Sequence, residues 1–323
     1  MQNLLTAPSQ EFIPISTLTL NCNMEISVDV FLKVDATAAP KLFCSREMKI
    51  EPSRLHQLLD AGISKLFIRG ESYQDYQAHL RSNWKALLAV GENFGTSSAT
   101  ILSDVVRAVL HEQFNSEDTN EVVETCKELA VAIVDTLTDR PLIVSELNDV
   151  MCHDYATFTH STNVACFAAM LSKGLGYNDD DLRQIVAGAL LHDLGKLEIS
   201  DRILSKPGKL DELEFREIQK HPTYGMQRLV KEQKTLSHGQ LMMVYQHHEK
   251  LDGSGYPVGI LADEIHPWAK LCAVVDIFEA LTSHRPYRKP MSHGTAVSIL
   301  QRSSGTELDP EIVRCWKTLV ETN

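Results

Sequence analysis

Hydrophobic and polar positions follow two different rhythms along the chain. From Phe12 to Ile68 apolar residues recur with a period of two: FIPIS, then Ile26, Val28, Val30, Leu32 and Val34, and later KLFC around Leu42. Residues two apart share one face of a strand, so these segments predict a half-buried sheet. Within the same stretch Pro52 and Ser53 open a short helix carrying Leu55, Leu58 and Leu59, Gly62 stops it, and SKLFI supplies a final strand. Beyond Tyr73 the spacing becomes helical, through Trp84, Leu87 and Leu88, then Ile101, Val105 and Val109, then Val122, Leu129, Ile133 and Leu137. GENFGTSSAT at 91–100 and SEDTNE at 116–121 predict breaks between helices. The pattern predicts a mainly α chain: a small α+β module over 1–72, a helical connecting region over 73–150 and a helical domain over 151–323. The first module is expected to serve in regulation, docking or oligomerisation.

Composition narrows the function classes. With 323 residues, 43% hydrophobic and 23% charged, the chain has the make-up of a globular protein and not of a disordered one. Lys and Arg number 31 against 43 Asp and Glu, a formal net charge of -12. Such a surface repels nucleic acid polymers and anionic lipid, so a polyanionic ligand has to be met by a local cluster of cations. The seven cysteines are scattered without a CxxC pair, and the first residues, MQNLLTAPSQEF, lack the basic and apolar stretches of a signal peptide. The expectation is a cytoplasmic protein with reduced thiols, and no membrane or nucleic acid partner.

Of thirteen histidines, ten lie at or after His153. His160 shares a helical stripe with Val164, Phe167 and Leu171, which alone fits a hydrogen-bonded core histidine as well as a ligand. The next predicted helix begins near Asn178 and Asp181 and ends at LHDLGK, with His192 and Asp193 in its last turn and Gly195 as terminator. An aspartate there opposes the helix dipole and calls for a positive partner, unless the helix end is frayed. Asp211 and Glu214 form a capping-box pair opening a helix that runs to His221, before Pro222. Leu241, Val244 and Tyr245 share a face with His248, whose neighbour is His247, and the glycine-rich EKLDGSGYP follows. Asp276 stands in KLCAVVDIFEAL, apolar almost all round, where an isolated carboxylate would cost several kcal/mol or stay protonated. Nitrogen and oxygen donors at His160, His192, Asp193, His221, His247, His248 and Asp276 on predicted buried faces point together to a metal site.

These motifs resemble the HD-GYP phosphodiesterases, a branch of the HD superfamily of metal-dependent phosphohydrolases. The resemblance runs from about His153 to Val320 and rests on HDLGKLEISDRILSKPGKL at 192–210, HPTYG at 221–225, HHEKLDGSGYPVG at 247–259 and VVDIFEALTSHRPYRKPMS at 274–292. It implies an HD-type helical bundle in which Asp193 bridges two divalent metals, one held also by His160, His192 and Asp276, the other by His221, His247 and His248. The imidazole-rich set suits iron or manganese, with zinc or nickel as substitutes. A third metal in some members uses a Glu one turn before the first histidine. That position is Ala156 here, so a binuclear site is expected, with His153 and Asp154 as helix-start residues.

The implied reaction is hydrolysis of cyclic di-GMP to pGpG or onward to GMP by a metal-bridging hydroxide. Asp193 and Lys196 are the catalytic candidates; Lys196, Tyr256, Arg285 and Arg288 are the substrate-binding ones, with Lys289 weaker. Partners implied are the dinucleotide, a signalling protein at the GYP loop, or a second copy of the chain. Departures from the family pattern are Glu279 where Asp is usual, Ser200 for Pro, and Ala262 and His266 in ADEIHP. Two other functions fit the same residues: a metal-bearing dinucleotide receptor with low turnover, and an HD hydrolase for another cyclic dinucleotide or a nucleotide.

Overall fold

The computed structural model describes residues 12–20, 25–33, 39–63, 65–91, 98–114, 118–139, 157–232, 235–283 and 289–322. The chain forms two compact units, Met1–Glu112 and Gln113–Asn323. The first contains a four-stranded antiparallel sheet in the order β1-β4-β2-β3, from β1 (Phe12–Ser16), β2 (Val30–Leu32), β3 (Lys41–Cys44) and β4 (Lys65–Arg69). β1 and β4 pair in full register, Phe12 opposite Arg69 and Ser16 opposite Lys65. Alternation explains the burial: Leu66 and Ile68 of β4 point into the core. Strand β2 is shorter than the period-two run predicts. Ile26 and Val28 are buried without joining it, and Glu25 instead bridges Lys49.

Helix α1 (Pro52–Asp60) covers this core with Leu55 and Leu58 and gives way to Gly62, whose φ of +72° a side-chain-bearing residue rarely adopts. Helices α2 (Tyr73–Gly91) and α3 (Ser98–Phe114) follow. Tyr76 of α2 hydrogen-bonds the Thr19 hydroxyl, and Val105 and Val109 of α3 are buried as their spacing predicts. The side chains of Trp84, Leu87, Leu88 and Ile101 lie outside the described residues.

The second unit is helical: α4 (Thr119–Asp139), α5 (Thr157–Gly174), α6 (Asp179–Leu191), α7 (Asp201–Leu204), α8 (Glu212–Ile218), α9 (His221–Leu229), α10 (His238–Gln246), α11 (Pro267–Thr282), α12 (His293–Ser303) and α13 (Pro310–Glu321). The stripe Val122, Leu129, Ile133 and Leu137 of α4 is buried, and α6 packs between α4 and α5. Phe167 of α5, Phe278 of α11 and Trp316 of α13 meet edge to face with ring centroids 5.0–5.4 Å apart. This aromatic knot fixes α5 against α11, and so sets His160, two turns before Phe167, opposite Asp276 and Glu279. Among the described residues no helix is long and apolar enough to cross a membrane.

Candidate metal centre

Helix ends deliver the histidines. Asn178 caps α6 by accepting the Asp181 N–H, and the helix stops at Leu191 with His192 as its C-cap. Asp193 begins a separate 3-10 turn over Leu194–Glu198. Gly195 therefore sits inside that turn and is not the terminator its position suggests. Its hydrogen faces the chain at α9, where a Cβ would overlap the His221 carbonyl and the Gly225 nitrogen. Asp211 and Glu214 form the expected capping box of α8, but that helix ends at Ile218. His221 instead starts α9, with Pro222 in the first turn, where a missing N–H costs nothing. Ser237 and Gln240 cap α10, which places His247 at its C-cap.

The seven predicted donors converge, all buried apart from a half-buried His248. Two groups have donor atoms within 4.8 Å of one another and could each hold a metal ion: His160 with His192 and Asp193, and His221 with His247 and His248. Asp193 lies between them, with Oδ2 3.4 Å from Nε2 of both His160 and His192, and Oδ1 3.3 Å from His221 Nε2. Asp276 lies 3.0 Å from His160 Nε2 through Oδ1 and 3.9 Å from His248 Nδ1 through Oδ2.

Proton positions follow from the outer contacts. His192 Nδ1 is 2.7 Å from the Ala189 carbonyl, His221 Nδ1 2.7 Å from that of Ile218, and His247 Nδ1 3.0 Å from that of Val244. Each Nδ1–H donates outward, so each Nε2 turns a lone pair inward. Nε2 of His192 and Oδ1 of Asp193 are fully buried without a hydrogen-bond partner, and Nε2 of His221 and His247 face each other at 3.2 Å. Lone pairs confronting lone pairs and carboxylate oxygens in a buried site are what a divalent cation resolves, so the donor set fits one.

Electrostatics divides the two groups. Burial lowers His221 to about 3 and His248 to about 4, and drives His247 well below its usual range, with the charges of neighbouring imidazoles adding to the effect on His247. For His160 burial acts in the same direction, but Glu279 and Asp276 outweigh it and raise the imidazole to about 9. Burial would raise Asp193 and Asp276; Lys196 and His192 beside the first, and His160 beside the second, hold both well below the usual carboxylate range.

Lys196 reaches Asp193 Oδ2 at 2.6 Å and is 17% exposed, so its amine stands at the rim of the site. The Tyr256 ring stacks on His248 at 4.7 Å, and burial, with Asp276 and Asp193 nearby, pushes its hydroxyl up. Arg285 and Arg288 lie outside the described residues, as do His153, Asp154 and Ala156; Lys289 is exposed.

In the sequence Glu279 stands out only as a departure from the family pattern. It is 2% exposed, accepts from His160 Nδ1 at 2.5 Å, and is held by Asn163 Nδ2 at 3.0 Å and the Ser283 hydroxyl at 2.6 Å. Its signal was present: a second carboxylate one turn after Asp276 in an apolar helix. Glu249, directly after the histidine pair, was also missed and is buried.

A family model described as an HD domain matches residues 139–312. The chain is 43% identical over 163 residues to the 3'3'-cGAMP-specific phosphodiesterase 3 of Vibrio cholerae, covering 50% of this chain and 35% of that protein. It is 30% identical over 220 residues to the cyclic di-GMP phosphodiesterase PA4108 of Pseudomonas aeruginosa, 68% of this chain and 53% of that one. The chain thus spans about a third to a half of the length of these curated relatives. Bd1817, described as an HDG"Y"P protein from Bdellovibrio bacteriovorus, shares the fold, with a TM-score of 0.68 at 20% identity over 96% of this chain and 99% of that one. Matched along more than half its length by the family model, and carrying the HD pair at 192–193 and the GYP triplet at 255–257, the chain belongs to the HD domain family, in its HD-GYP branch.

Proposed function

We propose that the chain is a metal-dependent phosphodiesterase that opens a cyclic dinucleotide, cyclic di-GMP in the first instance, at a binuclear centre held by His160, His192, Asp193, His221, His247, His248 and Asp276. The observation that carries this reading is the buried Asp193 carboxylate, set 3.3–3.4 Å from imidazole nitrogens of both groups with Oδ1 lacking a hydrogen-bond partner. Iron or manganese fits the imidazole-rich donors best. Such a pair of ions, when bound, supplies water activation at neutral pH and neutralises charge on phosphoryl oxygens.

The chain's own residues do the rest. Outward Nδ1–H bonds keep three imidazoles in the metal-binding tautomer, and Glu279 does the same for His160. Lys196 balances Asp193 and presents its amine at the rim, in position to meet a phosphate oxygen. Tyr256 walls the His248 side, and Arg285 and Arg288 complete the phosphate contacts. In this reading the segment 1–72 is regulatory, 73–150 connects, 151–323 is the hydrolase, and the protein works in the cytoplasm.

A second substrate is favoured by one observation, the 43% identity to a 3'3'-cGAMP-specific enzyme. Anaerobic purification, metal counting, and turnover of both cyclic dinucleotides with added iron or manganese test the proposal, with Asp193→Ala as control. Two metals and turnover lost in the control are expected, with the product read as pGpG or GMP. Tight binding without turnover in every reduced metal state would overturn the hydrolase in favour of a receptor.

A further inference from the structure

The four histidines with outward hydrogen bonds leave one exception. His192, His221 and His247 are aimed by main-chain carbonyls and His160 by Glu279, but among the described residues no hydrogen bond aims the His248 ring. Its close neighbours are rings, Tyr256 stacked at 4.7 Å with an interplanar angle of 28°, His247 at 4.1 Å and His221 at 5.0 Å, while the Asp276 carboxylate stands beyond hydrogen-bond reach at 3.9 Å from Nδ1. Whatever fixes Tyr256 therefore fixes the stacked face of His248.

Tyr256 belongs to a loop that closes on Glu249. The buried Glu249 carboxylate accepts three successive main-chain N–H groups: Val258 to Oε1 at 2.7 Å, Gly259 to Oε1 at 3.1 Å and Oε2 at 3.0 Å, and Ile260 to Oε2 at 3.2 Å. Gly259, with φ of +78°, turns consecutive N–H groups toward one anion, a nest filled here by a side chain of the same loop. Hydrogen bonds to an ionised carboxylate are roughly twice as strong as neutral ones. At the other end of the loop the Tyr256 N–H donates to the His248 carbonyl at 3.2 Å. Gly255 lies so close to the chain that a Cβ would come 2.6 Å from that carbonyl oxygen and 2.5 Å from Glu249 Cα.

We propose that Glu249 is a positioning residue for the His221, His247 and His248 site: by clamping residues 258–260 it presses Tyr256 onto the His248 ring and so sets the direction of that imidazole. The inference rests on reading the site as a binuclear metal centre. Occupancy of this metal position then depends on the loop, whereas the His160, His192 and Asp193 position does not.

The test uses the full chain as Glu249→Gln, Tyr256→Ala and Tyr256→Phe, stripped of metal and titrated with Mn2+ against a competing chelator, with amide exchange followed in parallel. Gln offers one acceptor oxygen and an NH2 to three N–H groups, so the clamp opens. In E249Q, exchange at Val258, Gly259 and Ile260 should quicken about tenfold while residues 157–191 keep their protection, and one of two Mn2+ equivalents should bind about tenfold more weakly, the lower end for loss of an outer-sphere contact. Y256A should weaken the same equivalent, and Y256F, which keeps the ring, should bind as wild type. Equal weakening of both equivalents, faster exchange across 157–191, or a Y256A that binds both equivalents normally would overturn the positioning role. Wild type that binds no Mn2+ at all would instead overturn the metal reading on which the role rests.

Discussion

The pair formed by Glu279 and His160 links the metal-free stability of the second unit to pH. His160 rises from an ordinary 6.5 to about 9 in the fold, with Glu279 the largest of the influences that raise it against burial. A pKa difference of one is worth about 1.4 kcal/mol, so the protonated imidazole contributes roughly 3 kcal/mol to the metal-free fold. Because the folded value is the higher one, this stabilisation is complete below pH 6.5 and is lost as pH climbs through about 9. Glu279→Gln keeps the length of the side chain and an acceptor for Asn163 and Ser283 but removes the charge. Wild type should be more stable than the variant by about 2 kcal/mol at pH 6, narrowing to under about 1 kcal/mol at pH 10, with Asp276 supplying what remains. Urea unfolding in chelator, in a Trp84→Phe background so that Trp268 and Trp316 report on the second unit, measures the gap. A gap that does not change between pH 6 and pH 10 would refute the reasoning, since a purely steric loss has no titration.

Metal binding should show the same division. Below about 9 a proton competes for His160, so affinity at that position should fall roughly tenfold per pH unit, while the His221 and His248 position, at about 3 and about 4, should be flat from pH 6 to 9; calorimetric titrations at two pH values separate them. Each metal position filled at a hundred times its dissociation constant should stabilise the protein by about 2.7 kcal/mol, an effect that Asp193→Ala should sharply reduce in thermal unfolding. Gly195→Ala should cost about 1–3 kcal/mol, because its Cβ meets the main chain of His221 and Gly225, which cannot yield as a flexible side chain would. His266→Ala should cost about 1 kcal/mol, since His266 Nδ1 accepts the Trp268 N–H that caps α11, and His266→Asn should recover most of it.

Periodicity made much of this architecture legible. The buried faces of α4, α6 and α11 and the capping residues Asn178 and Asp211 follow from local rules that tertiary packing did not override. What local rules misplaced were the joints at the site: Gly195 reads as a stop signal, and Pro222 as a break after His221. Their true reasons are the close approach of two main chains and the start of a new helix, neither of which has a periodic signature. Donor atoms could be named from residue type and face, but the acceptors that aim them could not. Glu279 meets His160 across 119 positions of sequence, and Glu249 reaches amides nine to eleven residues on through a loop whose path depends on glycines.

Every α-helix leaves its last carbonyls without a partner inside the helix. At α6, α8 and α10 those leftover groups, on Ala189, Ile218 and Val244, are what turns His192, His221 and His247 toward the centre. The aiming devices are thus peptide groups that no point substitution can delete, and they come free with helix termination. Side chains on the outer wall of the site can drift, and reshape it for a different ligand, while the inner geometry stays put. Only His160 and His248 are aimed by side chains, through Glu279 and Tyr256, and substitution has its strongest leverage on the centre there.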